Sequence, residues 1–301
     1  MNNKVVIVGT GNVGMAYAYA TLNQKTKVDE LVLIDKDTKK TIGNAMDLNH
    51  AAVFAPSKIT IKAGSYSDCR DASIVVIAAG ANQEKGESRL DLINKNKEVF
   101  KEVVSEIVSS GFNGIFLIAT NPVDIMTYIT RKYSHFPSNK VIGSGTVLDS
   151  ARLKYLLSTK IGINSKNIHA YVIGEHGDSE FVLYSSAEAG VVKINKLINT
   201  TDLDIIENEV RNSAYKIIEY KGATCYGIGN ALVRIVNSIL SNEGSILTVS
   251  SPIDDIYIGM PSVINKDGIK GVMRVNMTEE ELKKFENSKN ILKNIINNME
   301  D

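Results

Sequence analysis

The sequence predicts an α/β protein, with a doubly wound parallel sheet followed by a second, α+β domain. Two observations carry this prediction. Short apolar runs alternate with helical stretches throughout the first half, which is the pattern of βαβ units. The second half is less regular and begins at the glycine- and serine-rich stretch 143–146. We therefore expect a domain boundary there, with domains at residues 1–143 and 144–301.

Six apolar runs in the first half predict strands. Each run is short and is bounded by Gly, Asp or Asn, as expected for parallel strands that are covered on both faces. The stretch Asn12–Asn23, between the first two runs, predicts a helix. The six runs are Lys4–Val8, Leu31–Ile34, Ile59–Ala63, Ile74–Ala79, Ile115–Thr120 and Val141–Ile142.

The second half predicts helices and one strand. Gly222 stops one helix, and a capping box beginning at Thr278 precedes the last helix. We expect the helix near residues 226–240 to pack back on the first domain. The predicted elements are helices at Ser150–Ser158, Asp204–Tyr220 and Thr224–Leu240 and a strand at Ile168–Ile173. The predicted apolar face of the last helix is Leu282, Phe285, Leu292, Ile295, Ile296 and Met299.

Composition limits the classes of function. The chain carries 34 basic and 34 acidic residues, and this zero net charge argues against a nucleic-acid or anionic-membrane partner. The two cysteines, Cys69 and Cys225, are too few for a disulfide framework and favour a reducing compartment. The sequence has neither a signal-peptide pattern nor an apolar run of about 20 residues. We therefore expect a soluble, cytoplasmic protein.

A Gly-x-Gly-x-x-Gly motif follows the first predicted strand. Gly9 would allow the tight turn, Gly11 the close approach of backbone to a pyrophosphate, and Gly14 the packing of helix on strand. Asp35 ends the second run, where a carboxylate would bind the ribose and repel a 2′-phosphate. The combination predicts a Rossmann domain that binds NAD rather than NADP. An ordinary glycine turn is the alternative interpretation.

A histidine and a pair of charged residues are candidates for the chemistry. His176 lies between small and acidic residues after a strand, and an imidazole can supply the proton that hydride transfer to a ketone requires. Asp149 and Arg152 are three residues apart on a predicted helix, so they share a face. Asp149 could orient the imidazole, and Arg152 could bind a substrate carboxylate with two hydrogen bonds. The alternatives are a structural histidine and a surface ion pair.

Two further segments carry candidate polar side chains. Asn121 follows a predicted strand at the edge where such sheets bind ligands, and it could hydrogen-bond the substrate or the nicotinamide amide. A plain Asn-Pro turn is the alternative. The glycine-containing loop after Ile74–Ala79 carries Gln83 and Arg89. If this loop closes over a substrate, these two side chains would decide what is accepted and how its carbonyl is polarised.

These segments together resemble the bacterial L-lactate dehydrogenases of the lactate/malate dehydrogenase family. The resemblance extends over essentially the whole length, and the motifs are highly specific in this order and at these distances. They are V-G-T-G-N-V-G, G-A-N-Q-E-K-G-E-S-R-L-D-L, T-N-P-V-D, L-D-S-A-R, G-E-H-G-D-S-E, K-G-A-T-C-Y-G-I and Y-I-G-M-P-S-V-I.

The resemblance implies a role for each matching residue. His176 would exchange the proton, Asp149 would be its carboxylate partner, and Arg152 would bind the substrate carboxylate. Arg89 would polarise the reacting carbonyl, and Thr224 would line the substrate pocket. The cofactor contacts implied are Gly9, Gly11, Asn12, Val13, Gly14, Asp35, Asn121, Ser144 and Ile228.

The family pattern implies reduction of pyruvate to L-lactate, because malate enzymes carry arginine where this chain has Gln83. An unpaired second carboxylate of oxaloacetate, buried beside a neutral amide, would cost several kcal/mol. The alternatives are malate, a branched 2-hydroxy acid, or an NAD-binding regulatory protein without chemistry.

The resemblance also implies a homotetramer. Bacterial members of the family often respond to fructose 1,6-bisphosphate through an interface arginine and histidine. Here His169 matches the histidine, but Lys154 stands where the arginine is usual, and lysine lacks the bidentate fork. Binding of the effector and the absence of any effector both remain compatible with this pair.

Overall fold

A nine-stranded sheet lies at the centre of the computed structural model, which describes residues 3–81 and 89–299, the side chain of Arg89 excepted. Six parallel strands in the spatial order β3-β2-β1-β4-β5-β6 form most of the sheet. Each of the six predicted runs overlaps one of them. They are β1 (Lys4–Val8), β2 (Glu30–Ile34), β3 (Thr60–Ala63), β4 (Ile74–Ile77), β5 (Ile115–Ile118) and β6 (Val141–Gly143).

Apolar side chains fill both faces of this sheet. Successive residues of a strand point to opposite faces, so Val6 and Val8 join one apolar cluster while Val5 and Ile7 join the other. This double burial explains why the strands are continuous apolar runs. The helices connecting the parallel strands are α1 (Asn12–Leu22), α2 (Thr38–Ala51), α3 (Arg89–Ser109) and α4 (Val123–Ser134).

The second half contributes a third apolar cluster and two small sheets. The predicted strand Ile168–Ile173 is wrong as a single element, because the chain changes pairing partner within it. β7 pairs with β10, whereas β8 pairs with β9. The elements are α5 (Val147–Ile161), β7 (Ile168–His169), β8 (Val172–Ile173), β9 (Phe181–Val182), β10 (Glu188–Ala189), β11 (Val192–Lys193), α6 (Thr200–Lys221) and α7 (Tyr226–Leu240).

Three antiparallel strands extend the central sheet beyond β6: β12 (Ser245–Ile253), β13 (Ile256–Asn265) and β14 (Gly268–Val272). None of the three was predicted from the sequence, and β12 and β13 carry serines at buried positions. Those hydroxyls have buried partners; for example, Ser251 Oγ and Ser262 Oγ lie 2.6 Å apart.

Helix α7 packs against α1. A Cβ on Gly229 would lie 2.8 Å from the backbone of Ala16, so the two helices approach closely only because Gly229 has no side chain. Leu232 and Ile235 of α7 join the apolar cluster that contains Val5 and Ile7. The second half of the chain therefore completes the core of the first.

The last helix, α8 (Glu279–Asn298), begins at the predicted capping box. Thr278 Oγ1 accepts from the Glu281 backbone N–H at 3.2 Å, and Glu281 Oε2 accepts from the Thr278 N–H at 2.9 Å. One prediction for its apolar face is wrong, because Leu282 is half exposed, whereas Met299, just past the helix end, still packs against the apolar cluster that contains Phe285 and Leu292. Within the described ranges 3–81 and 89–299, no helix is long and apolar enough to cross a membrane.

Candidate active site

The glycine motif forms a tight turn between β1 and α1. Gly9 has a φ of 103°, and a Cβ there would lie 2.6 Å from the Ala78 carbonyl carbon of the neighbouring strand connection. A Cβ on Gly14 would collide with the Gly9 carbonyl oxygen. Gly11 instead faces open space, with nothing within 4 Å of its Cβ position. The turn is thus closed on the protein side and open at the N-terminus of α1.

Asp35 lies at the end of β2 and holds this turn. Its Oδ2 accepts from the Thr10 backbone N–H at 2.6 Å and from the Thr10 hydroxyl at 3.1 Å, while its Oδ1 accepts from the Asp37 N–H at 3.2 Å. Partial burial acts to raise the pKa of Asp35, but these hydrogen bonds and the charge of Lys40 hold it below the usual value. A carboxylate keeps spare acceptor sites for a diol.

A crevice of about 420 Å³ opens beside Asp35 at the carboxyl ends of β1 and β4. It is there that the strand order reverses between β2-β1 and β4-β5. The open face of Gly11, the carboxylate of Asp35 and this crevice fit the ribose and pyrophosphate of a dinucleotide. The lining residues include Gly9, Gly11, Asp35, Tyr66, Ala79 and Gly80.

His176, Asp149 and Arg152 are in direct contact. Asp149 Oδ2 lies 2.7 Å from His176 Nδ1, and Asp149 Oδ1 accepts from Arg152 Nη1 at 2.7 Å. Asp149 is 1% exposed, whereas the His176 side chain is 24% exposed. The predicted i,i+3 pair on α5 therefore exists, but it is buried and bridged to the imidazole rather than lying on the surface.

The contacts around His176 favour its protonated form. Burial acts to lower the pKa of His176, but the adjoining Asp149 carboxylate and a second carboxylate, Glu180, raise it well above its usual value. Burial likewise acts to raise the pKa of Asp149, yet His176 and Arg152 hold it below the usual value. The pair is therefore poised as imidazolium and carboxylate.

Asp124 fixes the turn that carries His176. Its Oδ2 accepts from the His176 backbone N–H at 2.8 Å, and its Oδ1 accepts from the Ser250 hydroxyl at 2.6 Å. Burial raises the pKa of Asp124 to about 6, opposed by these hydrogen bonds. Sequence reasoning missed Asp124 and Ser250, which are 126 residues apart, and also Glu180. Only the i,i+4 spacing of Glu180 from His176 could have drawn attention to it.

The other residues predicted to bind substrate or cofactor lie on different elements of the fold. Asn121 is exposed, and its carbonyl accepts from Asn96 Nδ2 at 3.0 Å. Ser144 is buried after β6, where its N–H donates to the Ile118 carbonyl at 2.8 Å. Thr224 is half buried just before α7, and Ile228 lies in the first turn of α7.

Lys154 and His169 differ in exposure. Lys154 lies over the Tyr171 ring at 5.4 Å, whereas His169 is exposed on β7. Burial lowers the pKa of Lys154, and the charge of Arg234 adds to this effect. Gln83 and the Arg89 side chain, both predicted at the site, lie outside the described residues.

Two family models match the chain almost end to end. The lactate/malate dehydrogenase NAD binding domain matches residues 3–143, and the lactate/malate dehydrogenase alpha/beta C-terminal domain matches residues 146–301. The chain belongs to the lactate/malate dehydrogenase family. As a member of this family it is an NAD-dependent oxidoreductase with a small-molecule substrate, and residues 3–143 are its NAD binding domain.

Curated and solved members of the lactate/malate dehydrogenase family resemble the chain over nearly full length. L-lactate dehydrogenase 1 of Peribacillus psychrosaccharolyticus is 50% identical over 98% of this chain and 96% of its own length. A lactate dehydrogenase structure from a Medee basin deep-sea metagenome library has a TM-score of 0.96 at 50% identity, covering 99% of both chains. The ligand-bound minor L-lactate dehydrogenase of Enterococcus mundtii has a TM-score of 0.96 at 38% identity, again covering 99% of both chains.

Proposed function

We propose that this protein is an L-lactate dehydrogenase that reversibly reduces pyruvate with NADH, His176 being the proton donor and acceptor. The observation that carries the proposal is the pair of short contacts that Asp149 makes with His176 and Arg152. These contacts put a proton donor and a binder of carboxylate side by side. A 2-oxo acid offers a carbonyl and a carboxylate on adjacent carbons, which is the matching arrangement.

The free nitrogen of His176 sets where the proton moves. Because Nδ1 is held by Asp149 at 2.7 Å, Nε2 is the nitrogen left to face a substrate. NADH, when bound, supplies the hydride. In reduction, Nε2–H gives its proton to the carbonyl oxygen, and in oxidation neutral Nε2 takes the hydroxyl proton back. Asp149 stabilises the imidazolium in the first case and orients the ring in both.

The resemblance carries the remaining roles. Arg152 would bind the substrate carboxylate, Thr224 would line the pocket, and Asn121 would hydrogen-bond the substrate oxygen or the nicotinamide amide. Arg89 would stabilise charge that develops on the carbonyl oxygen, so its loss should lower kcat more than substrate affinity. For NAD, we propose contacts with Gly9, Gly11, Asn12, Val13, Gly14, Asp35, Asn121, Ser144 and Ile228. Residues 1–143 would thus form the cofactor region and residues 144–301 the substrate region.

The choice of pyruvate over oxaloacetate rests on Gln83. A glutamine cannot neutralise the second carboxylate of oxaloacetate in a closed site, whereas a methyl group needs no counter-charge. The curated relatives at 50% identity over 98% of this chain, named L-lactate dehydrogenases, support the same substrate.

NADH oxidation with pyruvate, oxaloacetate and 2-oxoisocaproate tests the proposal. We expect pyruvate to give the highest kcat/KM. If oxaloacetate or 2-oxoisocaproate were clearly the better substrate, the lactate assignment would be wrong. His176→Ala is the catalytic control, since unchanged pyruvate reduction in that variant would remove His176 from the mechanism. His135→Ala, which alters a surface histidine at the end of α4, should leave the rate as it is.

We further propose a homotetramer in the cytoplasm. Apolar side chains on α2 and just after it support an interface. Ile42 and Met46 lie one turn apart and are each about half exposed, Val53 is 79% exposed and Phe54 is 90% exposed. The two free cysteines support a reducing location. Light scattering at several protein concentrations checks the assembly, and a monomer throughout would contradict it.

Fructose 1,6-bisphosphate is proposed as an effector that binds at Lys154 and His169. The like charges of Lys154 and Arg234 support an anion at this place. Pyruvate saturation curves with and without the bisphosphate decide between this proposal and an enzyme without an effector. We expect the bisphosphate to lower the pyruvate concentration at half-saturation in the wild type but not in Lys154→Gln.

A further inference from the structure

A second carboxylate, Glu180, approaches the same imidazole as Asp149. Glu180 Oε2 lies 3.8 Å from His176 Nδ1, a distance for an ion pair rather than a hydrogen bond. The Glu180 side chain is 6% exposed. Ligand atoms of Asp149, His176 and Glu180 all lie within 4.8 Å of one another. Two buried carboxylates therefore flank one ring.

The backbone of Glu180 holds its side chain in this position. Its N–H donates to the Gly177 carbonyl at 3.2 Å within the histidine-bearing turn, and its carbonyl accepts from Arg211 Nη2 of α6 at 3.1 Å. Phe181 then begins β9 and is buried. Glu180 is therefore fixed between the turn, α6 and β9, with its carboxylate on the side of His176.

The charges of the group explain what a second carboxylate does. Asp149 is a single anion in contact with two cations, since its Oδ1 pairs with Arg152 and its Oδ2 pairs with protonated His176. That trio carries a net charge of about plus one, which is costly in a buried site. An ionised Glu180 brings the sum to zero and stabilises the imidazolium. Among the described residues, Arg211 of α6 also approaches Glu180, through the Glu180 backbone carbonyl, and is itself paired with Glu207 at 3.3 Å.

We propose that Glu180 is a positioning residue for the proton transfer, whose carboxylate shares the His176 imidazolium with Asp149 and sustains it above neutral pH. The proposal rests on the proposed function only for its kinetic consequence. Burial raises the pKa of Glu180 to about 7, so its charge is present above neutral pH and absent in acid. Glutamine mimics the protonated form of Glu180. The effect of Glu180→Gln on His176 should therefore appear only above about pH 7, where Glu180 is ionised.

Direct titration of His176 is the first test, and it needs no substrate. The chain has four histidines, so their imidazole 13C signals can be followed by NMR and the His176 signal assigned from its loss in His176→Ala. We expect Glu180→Gln to lower the His176 titration midpoint by about one pH unit. Glu207→Gln, which alters a partly buried glutamate for which no contact with His176 is found among the described residues, should leave the midpoint unchanged. Equal midpoints in wild type and Glu180→Gln would overturn the proposal.

The pH profile of pyruvate reduction is the second test. The kcat/KM profiles of wild type and Glu180→Gln should coincide below about pH 6 and diverge above pH 7, with the variant about tenfold lower at pH 9. In Glu180→Gln, the rise of the lactate-oxidation rate at low pH should begin at a lower pH than in wild type. Lactate oxidation needs neutral His176, which the variant would contain at a lower pH. A loss that is equal at every pH would mean a merely structural role and would overturn the proposal.

The two tests separate the proposal from the proposed function. If the wild type did not reduce pyruvate, the lactate assignment would be wrong. The NMR titration would still show whether Glu180 raises the pKa of His176. Should Glu180→Gln not fold, as judged by its circular dichroism melt, Glu180→Asp takes its place. Its shorter carboxylate should lower the His176 midpoint by a smaller amount, and an unchanged midpoint would count against the proposal.

Discussion

Asp149 uses a different carboxylate oxygen for each of its two cationic neighbours: Oδ2 lies 2.7 Å from His176 Nδ1, and Oδ1 accepts from Arg152 Nη1 at 2.7 Å. One buried anion therefore sets the positions of the proton donor and of the arginine expected to bind substrate. The distance between these two groups is fixed by a single side chain with two rotatable bonds. This arrangement makes Asp149 the most sensitive residue of the candidate site.

Asp149→Asn should lower kcat/KM for pyruvate by about 100-fold or more, because an amide neither stabilises the imidazolium nor neutralises Arg152. The His176 pKa should fall, so reduction should decline at lower pH than in wild type. Leaving Arg152 unpaired should also lower the free energy of unfolding by about 3 kcal/mol. Asp202→Asn, which breaks an exposed pair with Lys160, is the matched control. Near-normal pyruvate kinetics in Asp149→Asn would contradict the assignment.

Gln83→Arg should shift preference toward oxaloacetate by supplying the missing counter-charge. We expect the ratio of kcat/KM for oxaloacetate to that for pyruvate to rise by about tenfold to 100-fold. Gln83→Glu introduces a negative charge instead, and it should lower the same ratio. If both variants moved the ratio in the same direction, charge at position 83 would not be what selects the substrate.

Asp35→Ser should relax the preference for NADH over NADPH. Removing the carboxylate removes its repulsion of the 2′-phosphate, and we expect the NADPH-to-NADH ratio of kcat/KM to rise about tenfold. The Thr10 N–H and hydroxyl lose their acceptor, so NADH affinity should fall as well. Asp37→Ser removes a nearby charge while serine can still cap α2, and it should change the ratio far less.

Asp124→Asn tests a buried carboxylate through stability. A folded-state pKa of about 6, above the unfolded value near 4, means that Asp124 costs stability as pH rises from 4 to 6. Asparagine carries no charge, and it can accept from the His176 N–H through its oxygen while its amide N–H donates to Ser250 Oγ, which reverses the direction of the second bond. Relative to wild type, Asp124→Asn should therefore gain about 2 kcal/mol in unfolding free energy between pH 4.5 and pH 8. Urea titrations at both values measure this, with exposed Asp47→Asn as control. A pH-independent difference would mean that Asp124 does not titrate in this range.

Local patterns predicted the parts of the fold and site that depend on near neighbours. The parallel strands followed from apolar runs, and the Asp149–Arg152 pair followed from helical spacing. Glu180 was missed because its spacing of four residues from His176 indicates proximity reliably only within a helix, and the two residues do not lie in one. The Asp124–Ser250 contact joins elements far apart in sequence, and nothing local encodes it.

The antiparallel extension of the sheet was missed for a related reason. Strands β12 and β13 bury serines whose partners are other serines or Asp124. From the sequence alone, a polar residue is predicted to be exposed, because the partner that would satisfy its hydrogen bonds in the core is not known.

Helix α7 has a consequence for how the molecule folds. Its apolar residues complete a core that also contains members from the first strands, from α1 and from β12 to β14, and Gly229 sets it against α1. Cutting the chain at the junction of the two family models, near residue 145, would strip this cover and leave Val5, Ile7 and Tyr17 beneath a water-filled gap. We therefore expect residues 1–143 and 144–301 to unfold as one cooperative unit, with a single melting transition for the intact chain.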